Sequence, residues 1–236
     1  MMEARTIAGR IAYRDAQGRD TGYETFERLT LPGGHLLRAW CALRDAGLWR
    51  EVSLAMDADW RPRDGFCRLW HADGRMTQMG FQVSDSAVQV SAAQDGIAQP
   101  LQIIPTPGRL PYLGLHPLMG DALIVHARGQ GEPGQFLPVQ AVTNAIDPDG
   151  DGHGPAQAMV IEAALIEPCD LTVAAGSFAA WHYRLRWRDD WPPADLWVRQ
   201  GDGLFLSMHW SLTGASYELV ALHDVSGTTF PKADPL

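Results

Sequence analysis

The sequence predicts an all-β fold with minor α content: an antiparallel open or closed β-barrel with a long proline-rich crossover. Three observations support this prediction: alternating strand patterns recur about every 8–12 residues, turn signals separate them, and aromatic residues are frequent. The chain has 236 residues, a length that is normal for a single barrel domain. Hydrophobic residues make up 46% and charged residues 20%, which is typical of a globular protein.

The first part of the chain reads as a series of hairpins. Pro32-Gly33-Gly34, Asp45-Ala46-Gly47 and Ala72-Asp73-Gly74 are strong turn signals. Alternation of apolar and polar residues around these turns predicts strands over residues 9–14, 22–31, 35–43, 48–57, 65–71, 75–83 and 87–92.

The middle of the chain differs because proline is dense there. Residues 96–121 contain Pro100, Pro105, Pro107, Pro111 and Pro117, which exclude a regular central strand or helix through most of this segment. We predict a long ordered crossover with one short helical turn, which acts either as a structural strap or as a binding loop.

Strand patterns resume after the crossover. They predict strands over residues 123–127, 137–145, 158–167, 170–175, 177–188, 195–200, 204–211 and 216–223. No shift in composition divides the chain, so we predict one barrel-like domain over residues 1–225 and a C-terminal tail over residues 226–236.

Several strands carry large side chains on one face, which indicates half-buried strands with a committed inner face. Nine tryptophans suit a wide concave surface, although such residues can equally fill it. Arg38 and Arg50 share faces with apolar residues, so each either binds a ligand anion, reaches the rim, or pairs with a carboxylate such as Glu24 or Asp45. The predicted substrate-binding residues are Arg38, Trp40, Arg50, Tyr112, Trp181 and Tyr183.

Two histidines are candidates for proton transfer. His116 lies in an apolar Gly/Pro-shaped segment with Tyr112 and Asp121 nearby in sequence, and His182 lies between Trp181 and Tyr183. Such surroundings shift a histidine pKa across the neutral range. The structural alternatives are that His116 pins a loop carbonyl and that His182 belongs to an exposed face.

The sequence gives no convincing motif for a metal or an organic cofactor, so we predict neither. One G-x-G-x-x-G match, at residues 129–134, lacks the following helix that a dinucleotide site needs and is better interpreted as a turn. Cys41, Cys67 and Cys169 lack C-x-x-C spacing, and the histidines form no H-x-H or H-E-x-x-H pattern. Asp147-Pro148-Asp149-Gly150-Asp151-Gly152 begins like a calcium loop, but Ala158 stands where that loop needs a bidentate glutamate. An acidic turn is the better interpretation, and weak calcium binding stays open.

The charge pattern limits the partners. The net charge is −9 and the sequence contains no run of lysines or arginines, so it gives no sign of the basic patch of a nucleic-acid-binding protein. The positive charges are nearly all arginines, because Lys232 is the only lysine. Residues 1–10 lack the apolar core of a signal peptide, and no apolar stretch is long enough to span a membrane. These features predict a cytoplasmic protein with reduced thiols, and homodimer formation stays open.

A faint family resemblance rests on three short motifs: Gly22-Tyr23-Glu24, Asp59-Trp60-Arg61-Pro62 and the segment 174–183 (AAGSFAAWHY). With these motifs the chain resembles a group of uncharacterised bacterial half-barrel β proteins, distantly similar to lipocalin-like and lipoprotein-carrier barrels. The resemblance implies an open or half barrel and transfers no catalytic residues. Periplasmic members of the group begin with export signals, from which this chain departs.

Three functions remain in view from the sequence. The first is a cofactor-independent lyase, isomerase or hydratase that binds a small hydrophobic or aromatic molecule in the barrel and transfers protons through His116 and His182. The second is a non-catalytic binding protein for the same kind of ligand. In the third the side chains fill the barrel, and the domain is structural.

Overall fold

The structure is a computed structural model that describes residues 4–129, 131–152 and 154–226. The strands of the first part are β1 (Arg5–Arg14), β2 (Asp20–Leu31), β3 (Gly34–Leu43), β4 (Leu48–Asp57), β5 (Pro62–His71), β6 (Met76–Val83), β7 (Ala87–Gln94), β8 (Ile97–Ala98), β9 (Gln102–Pro105) and β10 (Tyr112–Gly114). Two one-turn helices follow, α1 (Leu118–Ala122) and α2 (Ile124–Arg128). The remaining strands are β11 (Phe136–Thr143), β12 (Gln157–Val173), β13 (Gly176–Arg186), β14 (Ala194–Arg199), β15 (Phe205–Trp210) and β16 (Ala215–Ser226).

All these strands join one sheet. Its order is β10-β11-β12-β13-β14-β15-β16-β1-β2-β3-β4-β5-β6-β7-β8, and β9 pairs with β7. The first and last strands of the chain, β1 and β16, are neighbours in the middle of the sheet. Neighbouring strands pair antiparallel, and β10 with β11 is the parallel exception. The two ends of the sheet do not pair, so the predicted barrel is confirmed in its open form.

The first part of the crossover forms the short edge strands β8 and β9, and its second part, residues 110–121, is buried against the inner face of the sheet. Leu110, Leu113, Leu115 and Met119 are each no more than 2% exposed and belong to one hydrophobic core with the inner faces of the strands. Gly65 on β5 permits this close approach, because a Cβ at this position would lie 2.8 Å from a methyl carbon of Leu113. The chain thus fills much of its own barrel with its own middle segment.

Two strand predictions need correction. Residues 123–127 form helix α2 and its start rather than a strand. A short apolar run reads alike for a strand and for a buried helix, and Leu123, Ile124 and Val125 are all buried. The predicted strands 158–167 and 170–175 are one long strand, β12, with a bulge between Leu165 and Glu167.

The strand faces follow the predicted alternation in most places. In β4 the predicted inner face is buried, including Arg50. In β3 the face that was expected to point inward is the outer face. Leu37, Ala39 and Cys41 are buried, whereas Arg38 and Trp40 are exposed. Both faces of this strand carry apolar residues, so alternation alone does not choose between them. Of the predicted tail, residues 227–236 lie outside the described residues.

Candidate functional site

One cavity at an end of the open barrel is surrounded by aromatic side chains, and we call it the aromatic cavity. Its volume is about 70 Å³. One water molecule needs roughly 10–15 Å³ of such space, so the cavity holds a small molecule or one end of a longer one. Its walls include the aromatic residues Tyr13, Tyr112, Trp187, Trp191, Trp210 and Tyr217, and the charged residues Arg50, Asp121, Asp147, Asp149 and Arg188.

Three tryptophans form one wall of the aromatic cavity. The ring of Trp210, at the end of β15, lies 5.1 Å from that of Trp187 and 5.4 Å from that of Trp191. The indole N–H of Trp210 donates to the Pro192 carbonyl at 2.8 Å, which fixes this central ring. Trp187 and Trp191 follow β13 and are only partly buried, so they offer apolar surface to a ligand.

The crossover supplies a carboxyl group to the opposite wall. The Tyr112 hydroxyl on β10 donates to Asp121 Oδ1 on α1 at 3.0 Å. Burial raises the pKa of Asp121 to about 6, against the lowering effects of this hydrogen bond and of Arg50. Asp121 lines the aromatic cavity, and the hydrogen bond from Tyr112 engages its Oδ1 and leaves Oδ2 available. Asp121 can therefore accept a hydrogen bond or a proton at neutral pH.

Glu24 lies behind this wall and is completely buried. Its Oε2 accepts the Leu118 N–H at 2.6 Å and the Tyr13 hydroxyl at 3.2 Å, and its Oε1 accepts the Met119 N–H at 3.0 Å. The Cys41 thiol is 3.7 Å from Oε2. Burial raises the pKa of Glu24 to about 7, although these donors oppose the rise. Glu24 thus attaches the start of α1 to the inner face of β2.

Arg50 crosses the interior beside these carboxyls and is 2% exposed. It donates to the His116 carbonyl at 2.8 Å and to the Asp149 carbonyl. Its Nε is occluded and has no partner among the described residues. Arg50 therefore ties the crossover to the 147–152 turn, whereas the predicted alternatives were a ligand anion, the rim or a carboxylate.

His116 borders the aromatic cavity but is held by backbone. Its Nε2 lies 2.9 Å from the Ala145 carbonyl and 3.1 Å from Thr143 Oγ1. Burial and the nearby Arg50 lower the pKa of His116 to about 4, so the ring is neutral at physiological pH. Its backbone has a positive φ of 65°. These contacts match the predicted structural alternative, in which the ring pins a loop carbonyl, and its catalytic role stays a prediction.

His182 does not line the aromatic cavity and is not in contact with His116. It lies 2.8 Å from Asp195 and stacks on Trp197 at 4.6 Å, while Arg184 also contacts Asp195. Trp181 and Tyr183, on the opposite face of β13, line a second cavity of about 230 Å³ together with His126 and Asp202. The predicted site on this strand is therefore divided between two places.

Arg38 and Trp40 lie on the outer face of the sheet, away from the aromatic cavity. Trp40 is 37% exposed, and its ring is 5.6 Å from that of Trp70 on the same outer face. The expectation that they face the interior is wrong, since their strand has the opposite phase. A ligand contact on this outer face stays a prediction.

Sequence reasoning named Glu24 only as a possible partner of an arginine and Asp121 only as a neighbour of His116. It did not select Tyr13, Trp210 or Tyr217 as site residues. A signal for Glu24 was present, because it alternates with Phe26 and Arg28 on the buried face of β2. An acidic residue in phase with buried apolar residues indicates a polar interior. Asp121 and Tyr217 carry no comparable signal, since they meet only through the fold.

Within residues 4–129, 131–152 and 154–226, His, Cys, Asp and Glu side chains do not gather in groups of three or more that would hold a metal ion. In the same residues, no helix has the length and apolar character needed to cross a membrane. Asp147 and Asp149 are exposed at the mouth of the aromatic cavity. The Gly150 N–H donates to the Asp147 carbonyl at 2.9 Å, which makes this segment a turn.

The architecture defines an open β-barrel-like protein, and comparison with solved structures agrees. A β-barrel-like protein of the domain of unknown function DUF1849 from Brucella abortus superimposes with a TM-score of 0.58 and 11% identity, over 94% of this chain and 98% of that one. A DUF1089 family protein from Pseudomonas aeruginosa gives a TM-score of 0.48 and 15% identity over 78% and 87% of the two chains. No family model and no curated protein matches the sequence.

The first of these likenesses shows the fold alone, because its identity is low. It is consistent with the predicted resemblance to bacterial barrel proteins of unknown function, while similarity to lipocalins is not shown. The chemistry of this chain has to be argued from its own residues.

Proposed function

We propose that this protein binds a small hydrophobic or aromatic molecule in the aromatic cavity. The observation that carries the proposal is the wall of Trp187, Trp191 and Trp210, which faces a cavity although residues of the crossover belong to the hydrophobic core. Ligand sites are typically concave and apolar, with a few polar groups that fix orientation. Here Asp121 Oδ2 and the Tyr217 hydroxyl supply such groups.

The direct test is a calorimetric titration with benzyl alcohol, a small neutral aromatic probe. Trp191→Leu removes a partly buried ring from the wall and is expected to weaken binding about tenfold. Trp49→Leu is the matched control, because Trp49 is 37% exposed on β4 and does not line the cavity. Equal affinity in the wild type and Trp191→Leu, or no binding to the wild type, would remove the proposal.

Asp121 favours a second candidate function, a cofactor-independent lyase, isomerase or hydratase that acts by proton transfer. A carboxyl group with a pKa of about 6, hydrogen-bonded by Tyr112 and open to a cavity, suits a general base. In this proposal Asp121 takes the role that the sequence assigns to His116 and His182. The alternative is a non-catalytic binding protein of lipocalin-like type.

Proton exchange distinguishes these alternatives without knowledge of the natural substrate. Phenylacetone in D₂O, followed by proton NMR, reports removal of a carbon-bound proton next to a carbonyl. The enzyme hypothesis predicts exchange above the buffer rate that disappears in Asp121→Asn and persists in His116→Gln and His182→Gln. If phenylacetone binds but no exchange occurs, the binding-protein alternative is favoured. A cytoplasmic location and homodimer formation remain predictions beside this proposal.

A further inference from the structure

The aromatic cavity presents ring faces to its contents. Trp187 and Trp191 flank Trp210, and the Tyr13 and Tyr217 rings meet edge to face at 5.1 Å. The face of an aromatic ring carries negative potential and attracts cations. Trp191 already shows this property, because the guanidinium carbon of Arg188 lies 5.0 Å from its ring centroid.

Carboxyl groups that border the cavity add to this potential. Asp121, Asp147 and Asp149 border the cavity, and none of them forms an ion pair in the part of the chain that the structure describes. Burial, followed by Asp149 and Asp121, raises the pKa of Tyr217 to about 12, so both carboxylates act on this hydroxyl. Burial and the neighbouring Asp151 and Asp147 also raise the pKa of Asp149.

Two arginines, Arg50 and Arg188, border the cavity against three carboxyl groups. Arg50 directs its two terminal nitrogens at backbone carbonyls, and its Nε is occluded. Arg188 makes hydrogen bonds of 2.8 and 2.9 Å to Asp190. His116 is neutral at physiological pH because its pKa is lowered to about 4 by burial and by Arg50. The charge of Arg50 acts on Asp121 and Asp149, but the three carboxyl groups and the ring faces together favour a cation in the cavity.

We infer that the aromatic cavity selects ligands that carry a protonated amine on an aromatic or apolar body, and that Asp121 Oδ2 receives the ammonium group. This inference rests on the proposed function and specifies its ligand class. The inferred ligand has the opposite charge to the ligand expected from the sequence, which is a carboxylate, phenolate or enolate held by Arg38 or Arg50. Tryptophan and carboxylate together form the usual receptor for organic ammonium groups.

Three probes of similar size and different charge test the inference: benzylammonium, benzyl alcohol and benzoate, titrated calorimetrically into the full-length protein at pH 7.5. We expect benzylammonium to bind about tenfold more tightly than benzyl alcohol, and benzoate to bind most weakly. Asp121→Asn should abolish the preference for benzylammonium over benzyl alcohol. Asp224→Asn, a carboxylate paired with Arg5 on β1, is the control and should preserve the order.

The pH dependence gives an independent readout. Asp121 interacts electrostatically or by hydrogen bond with four groups on the strands: Tyr112 from β10, Arg50 from β4, Glu24 from β2 and Tyr217 from β16. Because an ammonium group prefers the ionised carboxylate, benzylammonium affinity should fall as the pH decreases through about 6, the pKa of Asp121. Asp121→Asn should abolish this fall, whereas a fall caused by Glu24 would persist.

The outcomes separate the inference from the proposed function. Equal affinity for the alcohol and the ammonium, or tightest binding of benzoate, overturns the inference while small-molecule binding stands. Absence of binding by all three probes overturns both. A preference for benzylammonium that survives in Asp121→Asn overturns the assigned residue.

Discussion

The Glu24 carboxylate on β2 accepts the backbone N–H of Met119 on α1 at 3.0 Å, ninety-five positions away along the chain. This bond and its neighbour to Leu118 attach the crossover to the sheet. They place the next turn of the chain, with Asp121, at the wall of the aromatic cavity. The position of the candidate functional carboxyl thus depends on a second, fully buried carboxyl.

Glu24→Gln should destabilise the protein by about 1–3 kcal/mol at pH 6, because an amide NH₂ would then face a backbone N–H. Burial raises the pKa of Glu24 from 4.5 to about 7. The stability that its neutral form contributes is therefore fully present below about 4.5 and is lost as the pH rises through about 7. The difference between variant and wild type should shrink from pH 5 to pH 8.

Urea unfolding at several pH values measures this effect. Glu27→Gln is the control, since Glu27 is exposed on the same strand. If Glu24→Gln were as stable as the control at pH 6, the attachment of α1 would not depend on Glu24.

Gly150→Ala should displace the His116 ring. A Cβ at Gly150 would lie 2.4 Å from the ring, and the residue has a positive φ of 63°. Gly18→Ala is the matched control, because Gly18 has a φ of 76° with nothing within 4 Å of the added Cβ. The positive φ alone makes alanine cost about 1–2 kcal/mol at either position. The clash with His116 adds to this cost at Gly150, so thermal or urea unfolding should show a clearly larger loss of stability for Gly150→Ala. Equal losses of stability in the two variants would mean that the His116 ring moves aside at no measurable cost.

His116 should stay neutral through the physiological range. Its pKa is lowered from 6.5 to about 4 by burial and by Arg50, so the unfolded chain binds the proton first as the pH falls. The stability tied to neutral His116 is full above about 6.5 and is lost as the pH falls toward 4. Nitrogen-15 NMR of the imidazole should show a single tautomer from pH 5.5 to 8. A titration midpoint near 6.5 would restore His116 as a candidate acid–base group.

The strands are largely predictable from the sequence because one face of each is buried and the side chains alternate. This logic placed Arg50 inward in β4 correctly. It failed at β3, because both faces carry apolar residues: Leu36 and Trp40 on one face, Leu37 and Cys41 on the other. It also failed at α2, because the short apolar run there fits a strand and a buried helix equally well. Both segments are settled by tertiary packing rather than by local pattern.

The candidate site was predictable only in part. Tyr112 was predicted as a binding residue and lines the aromatic cavity, whereas Trp187, which directly follows β13, lines it without having been predicted. Trp181 and Tyr183 belong to the same face of β13 but lie in another cavity. Curvature of the sheet divides this strand between two places, and alternation does not encode curvature.

The central claim is that the aromatic cavity is a ligand site, and indole N–H signals in a nitrogen-15 correlation spectrum test it most directly. During titration with benzyl alcohol or benzylammonium, we expect the signals of Trp187, Trp191 and Trp210 to shift together and saturate. Those of Trp40 and Trp49, on the outer face, should stay in place and serve as internal controls. Saturable shifts confined to Trp40 and Trp49, or no shifts at all, would contradict the claim.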